Sequence, residues 1–323
     1  MTRLRRNSRS REPQIAGMIG RGDCMKLLTY IVGKKEMVGV LNREETWVYP
    51  VSAAGMDYTD MKDLIREIGP SEMEMLAFIL KKDPHDVPGA APMSDVKVLA
   101  PIPYPDQDMI CLGINYAAHA EESSRFTKEN FAKDREDQAI YFSKRVNRAV
   151  DPDGGICAHR DMTSQLDYEA ELVVVIKKDA KNVKRENVRD YIFGYTIMND
   201  VSAREVQTSH KQWYFGKSLD DFTPLGPWIT TEDAIAYPPK LKIQSKVNGE
   251  LRQDSNTELF LTDIEDVIVE LSQGMTLKSG TMIATGTPAG VGMGFVPPKF
   301  LNVGDVVECI VEGIGTLRNT IVE

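Results

Sequence analysis

Residues 166–176 read LDYEAELVVVI and set two carboxylates, Glu169 and Glu171, beside an unbroken apolar run. Strand side chains alternate, so residues two apart point the same way. Glu169 and Glu171 therefore share a face and repel one another. Taking an unpaired carboxylate out of water is costly, and a bound cation relieves both the burial and the repulsion. The competing reading is an exposed strand end with two solvated acids, since charged side chains are mostly exposed. Asp200, in GYTIMNDVSAREVQ, follows another apolar strand and adds a third acid at a strand end. Three carboxylates with no cysteine or histidine beside them form an all-oxygen ligand set, which suits Mg²⁺ or Mn²⁺ better than zinc. On an octahedral ion, about three positions would stay open for water or for a substrate chelating through two oxygens.

Other segments carry groups that could work beside such a centre. In GINYAAHAEESSRF, a helix over 116–125 puts His119 and Glu122 on one face. A carboxylate beside a histidine fixes its tautomer and raises its basicity, so the pair reads as a general base for water. A solvated helix carrying both by chance is the alternative. Lys217, in WYFGKSLDDFTPLGPWIT, either neutralises a substrate anion or is an ordinary surface lysine. Arg204 and Gln207 share a helical face past Asp200 and could grip a substrate carboxylate, the arginine bidentately. Against this, Arg204 could simply pair with Glu205 or another surface acid. ATGTPAGVGMG lacks the lysine of a phosphate-binding loop and no helical pattern follows it. It reads as a tight loop at the edge of the site, with Thr287 a donor to substrate. His85, His159 and His210 receive no role.

The elements that must position these groups are mostly strands. KLLTYIVG, MVGVLN and TWVYP open the fold from Met25, and two helices follow. The second begins at PSEMEMLAFILKK, with Ser71 and Glu74 at capping-box spacing. KKDPHDVPGAAPM reads as a linker, which closes a small N-terminal α+β domain over 25–93. Residues 94–323 form the catalytic domain, with strands in DVKVLAP, MICLGIN, AIYFS, AELVVVI, FGYTIMN, GPWIT, LKIQSKV, TMIATG and DVVECIVEGIGTL. Asn248–Gly249 signals a hairpin. LTDIEDVIVELSQG reads as an amphipathic helix with Thr262 and Glu265 at capping-box spacing. The fold class is α+β: a β-rich sandwich or roll of mixed sheets with helices at its margin.

The chain has 323 residues and a formal net charge of -9, which argues against nucleic-acid binding. An anionic substrate must then be drawn in by a local cation. Cys24, Cys111, Cys157 and Cys309 lack CxxC spacing, which fits a reducing, cytoplasmic compartment and no disulfide framework. No apolar run is long enough to span a bilayer. Residues 1–24 are arginine-rich and without apolar period; they read as a disordered extension outside the fold, with an organelle-targeting leader as the alternative.

GINYAAHAEE, LDYEAELVVVI, GYTIMNDVSARE, FGKSLDDFTPLGPW, VNGELRQ and TGTPAGVG, in that order, resemble the fumarylacetoacetate hydrolase family over roughly residues 95–323. The resemblance implies a β-rich catalytic domain, a homodimer, and Mg²⁺ or Mn²⁺ held by Glu169, Glu171 and Asp200. It matches His119 and Glu122 to the HxxE pair of acylpyruvase-like members, on a segment that closes as a lid. It matches Arg204, Gln207, Lys217 and Thr287 to substrate-contacting positions. Two departures bear on the shape of the pocket: Glu205 where many members carry aspartate, and Arg145 after Lys144 where small residues or proline are usual. TSQLDYEAEL and GMGFVPPKFLNVGD look most like the branch that includes oxaloacetate decarboxylases. The implied function is metal-dependent C–C bond cleavage of a small 2-oxo acid through a metal-stabilised pyruvate enolate. The cleavage is hydrolysis of an acylpyruvate or fumarylpyruvate, or decarboxylation of oxaloacetate. Enol–keto isomerisation of a 2-oxo dicarboxylate is the alternative. A non-catalytic cation site is a third reading, against which His119, Glu122 and Lys217 all stand.

Overall fold

The strand Ala170–Ile176 is buried on both faces. Its alternation divides two cores: Leu172, Val174 and Ile176 enter one, and Val173 and Val175 enter the other. Such a strand must lie at the centre of a covered sheet. In the computed structural model, which describes residues 25–123 and 138–323, it pairs antiparallel with Ile192–Asn199 on one side and Met282–Ala284 on the other. The sheet continues through Leu225–Thr231 to Lys26–Val32, Lys35–Leu41 and Trp47–Pro50. In the other direction Met282–Ala284 runs parallel to Met109–Leu112, and Tyr141–Lys144 ends the sheet.

A second sheet runs in the order Glu250–Asn256, Lys242–Val247, Val306–Val311, Gly315–Val322 and Gly155–Cys157. Ile243, Val307, Cys309, Leu317 and Ile321 pack from it against the Leu172, Val174 and Ile197 face of the large sheet. The opposite face of the large sheet is covered by Met61–Glu67 and Pro70–Ile79, which bring Leu64, Ile65 and Leu76 against Val173, Val175 and Ile229. The architecture is the β-rich α+β class expected from the sequence.

Several local expectations are met and several shift. Asn248 and Gly249 turn the Lys242–Val247 and Glu250–Asn256 hairpin, with φ of 51° and 81°. The helix in LTDIEDVIVELSQG is Ile264–Gly274, but its cap is Asp263, which accepts from the Asp266 N–H, and not Thr262. At the earlier helix, Pro70 occupies the first turn and Glu72 reaches back to the Gly69 N–H, so the Ser71–Glu74 box is not used. Proline tolerates this position because its missing N–H would be unpaired there anyway. The stretch read as a linker contributes Ala91–Pro92, which pairs with Trp47–Pro50. The strand predicted in DVVECIVEGIGTL is two, broken at Gly313, whose φ of 75° no strand residue adopts. No helix among the described residues is long and apolar enough to cross a membrane. Residues 1–24, read as a disordered extension, lie outside the described residues, Cys24 with them; Cys111, Cys157 and Cys309 are free thiols.

Candidate active site

Glu169, Glu171 and Asp200 converge where two neighbouring strands end. Ala170 pairs with Asn199, and the Asp200 N–H donates to the Glu169 carbonyl at 2.8 Å. Asn199 ties the two strand ends together by accepting the Glu169 N–H through its side-chain oxygen at 2.9 Å. One ligand oxygen from each acid lies within 4.8 Å of the others. All three are buried, between 0% and 4% exposed, which rules out the solvated strand end.

Two lysines enter this carboxylate cluster. Lys217 Nζ bridges Glu169 and Asp200 at 2.7 Å each, and Lys144 Nζ donates to the other oxygen of Asp200 at 2.7 Å. Burial pushes the Glu169 carboxyl up, but Lys217 and Arg204 outweigh it and hold it down at about 2. Burial would depress the Lys217 ammonium, yet Asp200 and Glu169 push it up to about 12. Lys144 is lowered, chiefly by its complete burial. Glu171 differs from its neighbours. Its Oε2 accepts from the Gly286 N–H at 2.9 Å, and no lysine or arginine among the described residues ion-pairs with it. Burial and the adjacent Asp200 and Glu169 raise it well above the ordinary carboxyl range. A buried acid that lacks a cation, beside two more with oxygens in reach, is a donor set that fits a hard divalent ion.

The helix Ala117–Ser123 carries His119 and Glu122 one turn apart, as the spacing predicts; residues 124 and 125 lie outside the described residues. Glu122 Oε2 meets His119 Nδ1 at 3.0 Å, and Oε1 accepts from the Gly290 N–H at 3.0 Å. A carboxylate accepts only from a protonated nitrogen, so Nδ1 carries a hydrogen, and in the neutral imidazole it is Nε2 that keeps the lone pair. The glycine-rich loop is thus at the edge of the site: Gly286 holds Glu171 and Gly290 holds Glu122. Gly286 has a φ of +89°, and a Cβ there would lie 2.8 Å from that of Asn115.

The remaining predicted residues divide. Arg204 opens the helix Arg204–Ser209 and donates to Asp167 at 2.8 Å, Glu169 at 2.7 Å and Gln207 at 3.0 Å. Its partner is not Glu205, which instead accepts from Thr163 and Ser164. The second terminal nitrogen of Arg204 is buried without a hydrogen-bond partner. Arg204, Gln207, His119, Glu169 and Lys217 all line one cavity of about 50 Å³, whose apolar walls include Phe142 and Trp213. Thr287 does not face it. Its hydroxyl donates to the Ala170 carbonyl at 3.0 Å and accepts from Gln253 at 2.7 Å, so it pins the strand that carries Glu171.

Sequence reasoning missed two charged residues at the centre. Lys144, which in the sequence stands out only as the neighbour of Arg145, is fully buried on Asp200. Asp167 anchors Arg204 and also accepts the Gly292 and Met293 N–H groups at 2.6 and 3.0 Å. Its signal was present, since it precedes Glu169 by two and shares that alternation. His159 and His210 bond to the backbone carbonyls of Asp220 and Val206, and His85 stacks edge-on with Trp47.

The family model for the fumarylacetoacetate (FAA) hydrolase C-terminal region matches residues 108–322. The chain is 43% identical over 242 residues to oxaloacetate tautomerase YisK of Bacillus subtilis (strain 168), covering 74% of this chain and 78% of that protein. The structure of fumarylacetoacetate hydrolase from psychrophilic Exiguobacterium antarcticum superposes with a TM-score of 0.77 at 36% identity, over 92% of this chain and 99% of the other. Maleylpyruvate hydrolase from Sphingobium sp. SYK-6, solved with manganese(II) ion and pyruvate, superposes with a TM-score of 0.71 at 28% identity, over 92% and 99%. The match extends across every segment that builds the carboxylate cluster, so the chain belongs to the fumarylacetoacetate hydrolase family, whose members are enzymes acting on oxo acids.

Proposed function

We propose that the chain catalyses enol–keto tautomerisation of a small 2-oxo dicarboxylate, oxaloacetate first among them, with Mg²⁺ or Mn²⁺ held by Glu169, Glu171 and Asp200. The observation that carries the reading is His119, held by Glu122, facing the same cavity as Arg204 and Gln207. The similarity to a tautomerase of oxaloacetate supports it. When bound, a divalent cation supplies the positive charge that an enolate requires. The side chains do the rest. Arg204, with one terminal nitrogen unpartnered, and Gln207 hold a substrate carboxylate. His119 Nε2 takes the C3 proton of the keto form and returns it to the enol oxygen, while Glu122 keeps the imidazole in that tautomer. Lys217 stays charged and balances the acids around the substrate. Phe142 and Trp213 exclude water, which tautomerisation does not need.

C–C bond cleavage is the second reading. The same histidine could activate a water for attack on a distal carbonyl, and the similarity to a maleylpyruvate hydrolase favours it. Loss of CO₂ from oxaloacetate would need no such water. One experiment separates the chemistries. Metal-loaded enzyme is supplied with enol-oxaloacetate and, separately, with acylpyruvates, and products are followed by ultraviolet absorbance and NMR. Tautomerisation consumes the enol without yielding pyruvate, and His119→Ala should slow it on the order of a hundredfold or more. Pyruvate formed at the rate of enol loss would instead assign cleavage. No change in any of these substrates would defeat both readings.

A further inference from the structure

A second cavity, larger than the one beside the carboxylate cluster, lies elsewhere in the fold. It measures about 550 Å³ and lies where the chain leaves Ala170–Ile176 and enters Met282–Ala284. Glu171 is at one end of that first strand and Lys177 follows the other, so the cavity sits about 20 Å from the acids at ordinary strand rise.

Its lining is cationic in a chain whose net charge is -9. Lys177, Lys178 and Lys278 come from one wall, and Lys62 and Arg66 from the helix Met61–Glu67 opposite. Two carboxylates accompany these five cations. Asp106 takes Lys62 at 2.5 Å, with Arg66 at 3.8 Å, and Asp179 takes Lys278 at 2.6 Å. Lys177 and Lys178 have no ion-pair partner among the described residues; Lys178 Nζ lies 4.5 Å above the Tyr191 ring. The charge excess thus resides on the adjacent residues Lys177 and Lys178. The volume is that of a small-molecule site.

We infer that this cavity binds a small organic or inorganic polyanion, one with at least two anionic groups spaced to meet the lysine wall and the Lys62–Arg66 wall together. A single carboxylate would reach only one wall. The site is separate from the carboxylate cluster and owes nothing to the proposed activity. Phosphate and carboxylate ligands share the chemistry, and two probes distinguish them: inorganic tripolyphosphate and citrate.

Calorimetric titration of each probe into the full chain, dialysed free of unbound divalent cation, tests the inference. At least one probe should bind saturably at low ionic strength and weaken with added salt, as exposed charge pairs do. The double variant Lys177→Gln/Lys178→Gln alters only exposed side chains and should weaken that binding about tenfold or more. Arg204→Gln, in the other cavity, should leave it unchanged. Absence of saturable binding by either probe overturns the inference. So does binding that survives the lysine variant or is lost with Arg204→Gln.

Discussion

Glu171 is the buried acid left without a cation, and this has a thermodynamic consequence. Its carboxyl lies well above the ordinary range in the folded chain, so above the unfolded value of roughly 4.3 the native state holds a proton that the unfolded chain has released. Stability then falls as pH rises. Glu169 behaves oppositely: held at about 2, it contributes stability above the ordinary carboxyl value that is lost as pH falls toward 2. A divalent ion at the three acids removes the Glu171 penalty, and binding it expels the proton. Thermal melts with and without Mn²⁺ should therefore show a larger gain in Tm at about pH 8 than at about pH 5; equal gains would count against the ligand set. Glu171→Gln should raise the Tm of the metal-free chain and weaken metal binding by roughly an order of magnitude or more. The two effects have opposite signs, which simple misfolding would not produce.

At the scale of elements, the short turn Gly292–Gly294 backs the helix that carries the histidine pair. A Cβ on Gly294 would lie 1.8 Å from Glu122 Oε1. Gly294→Ala must push that carboxylate off His119 Nδ1 and the Gly290 N–H. The displaced atom ends a flexible side chain, so the fold should lose only about 1 kcal/mol. Turnover should fall roughly tenfold to a hundredfold, because His119 loses the partner that sets its tautomer. Kinetics and a melt on the same sample check this. A drop in stability that accounts for the lost activity would refute the positioning role. The elements themselves were readable wherever a local rule acts alone. An unbroken apolar run marked Ala170–Ile176, and Asn248–Gly249 marked its hairpin. Caps were misplaced by one or two residues, because Asp263 and Thr262 are both good caps and the choice depends on where the chain enters the helix.

At the scale of the molecule, position 93 does not divide the packing. Lys26–Val32 pairs with Leu225–Thr231, and Leu27, Val40 and Leu64 share a core with Val173, Ile229 and Met282. A chain of residues 94–323 alone would expose this apolar face and the edge of Leu225–Thr231. It should aggregate or fail to melt cooperatively; a soluble, cooperatively melting fragment would show that 25–93 is dispensable. Removal of residues 1–24 is expected to leave Tm and turnover unchanged, which the same assays measure.

The carboxylates, the His119–Glu122 pair and the β-rich class were determined by the sequence alone, because each rests on short-range periodicity. Residues two apart on a strand share a face, and residues three apart on a helix meet. Strand ends beside apolar runs singled out Glu169, Glu171 and Asp200, while a solvated strand end stayed open until their burial excluded it. The tertiary structure decided which cations answer them. Lys144 and Lys217 are 56 and 17 residues from Asp200, and nothing local separates either from a surface lysine. It also decided that Thr287 faces Gln253 and Ala170 instead of the cavity, and that five cations gather at the far end of the same strands. Periodicity states which face of an element is buried. What that face is buried against is settled by strand order, and strand order joins residues whose separation along the chain carries no record of their contact.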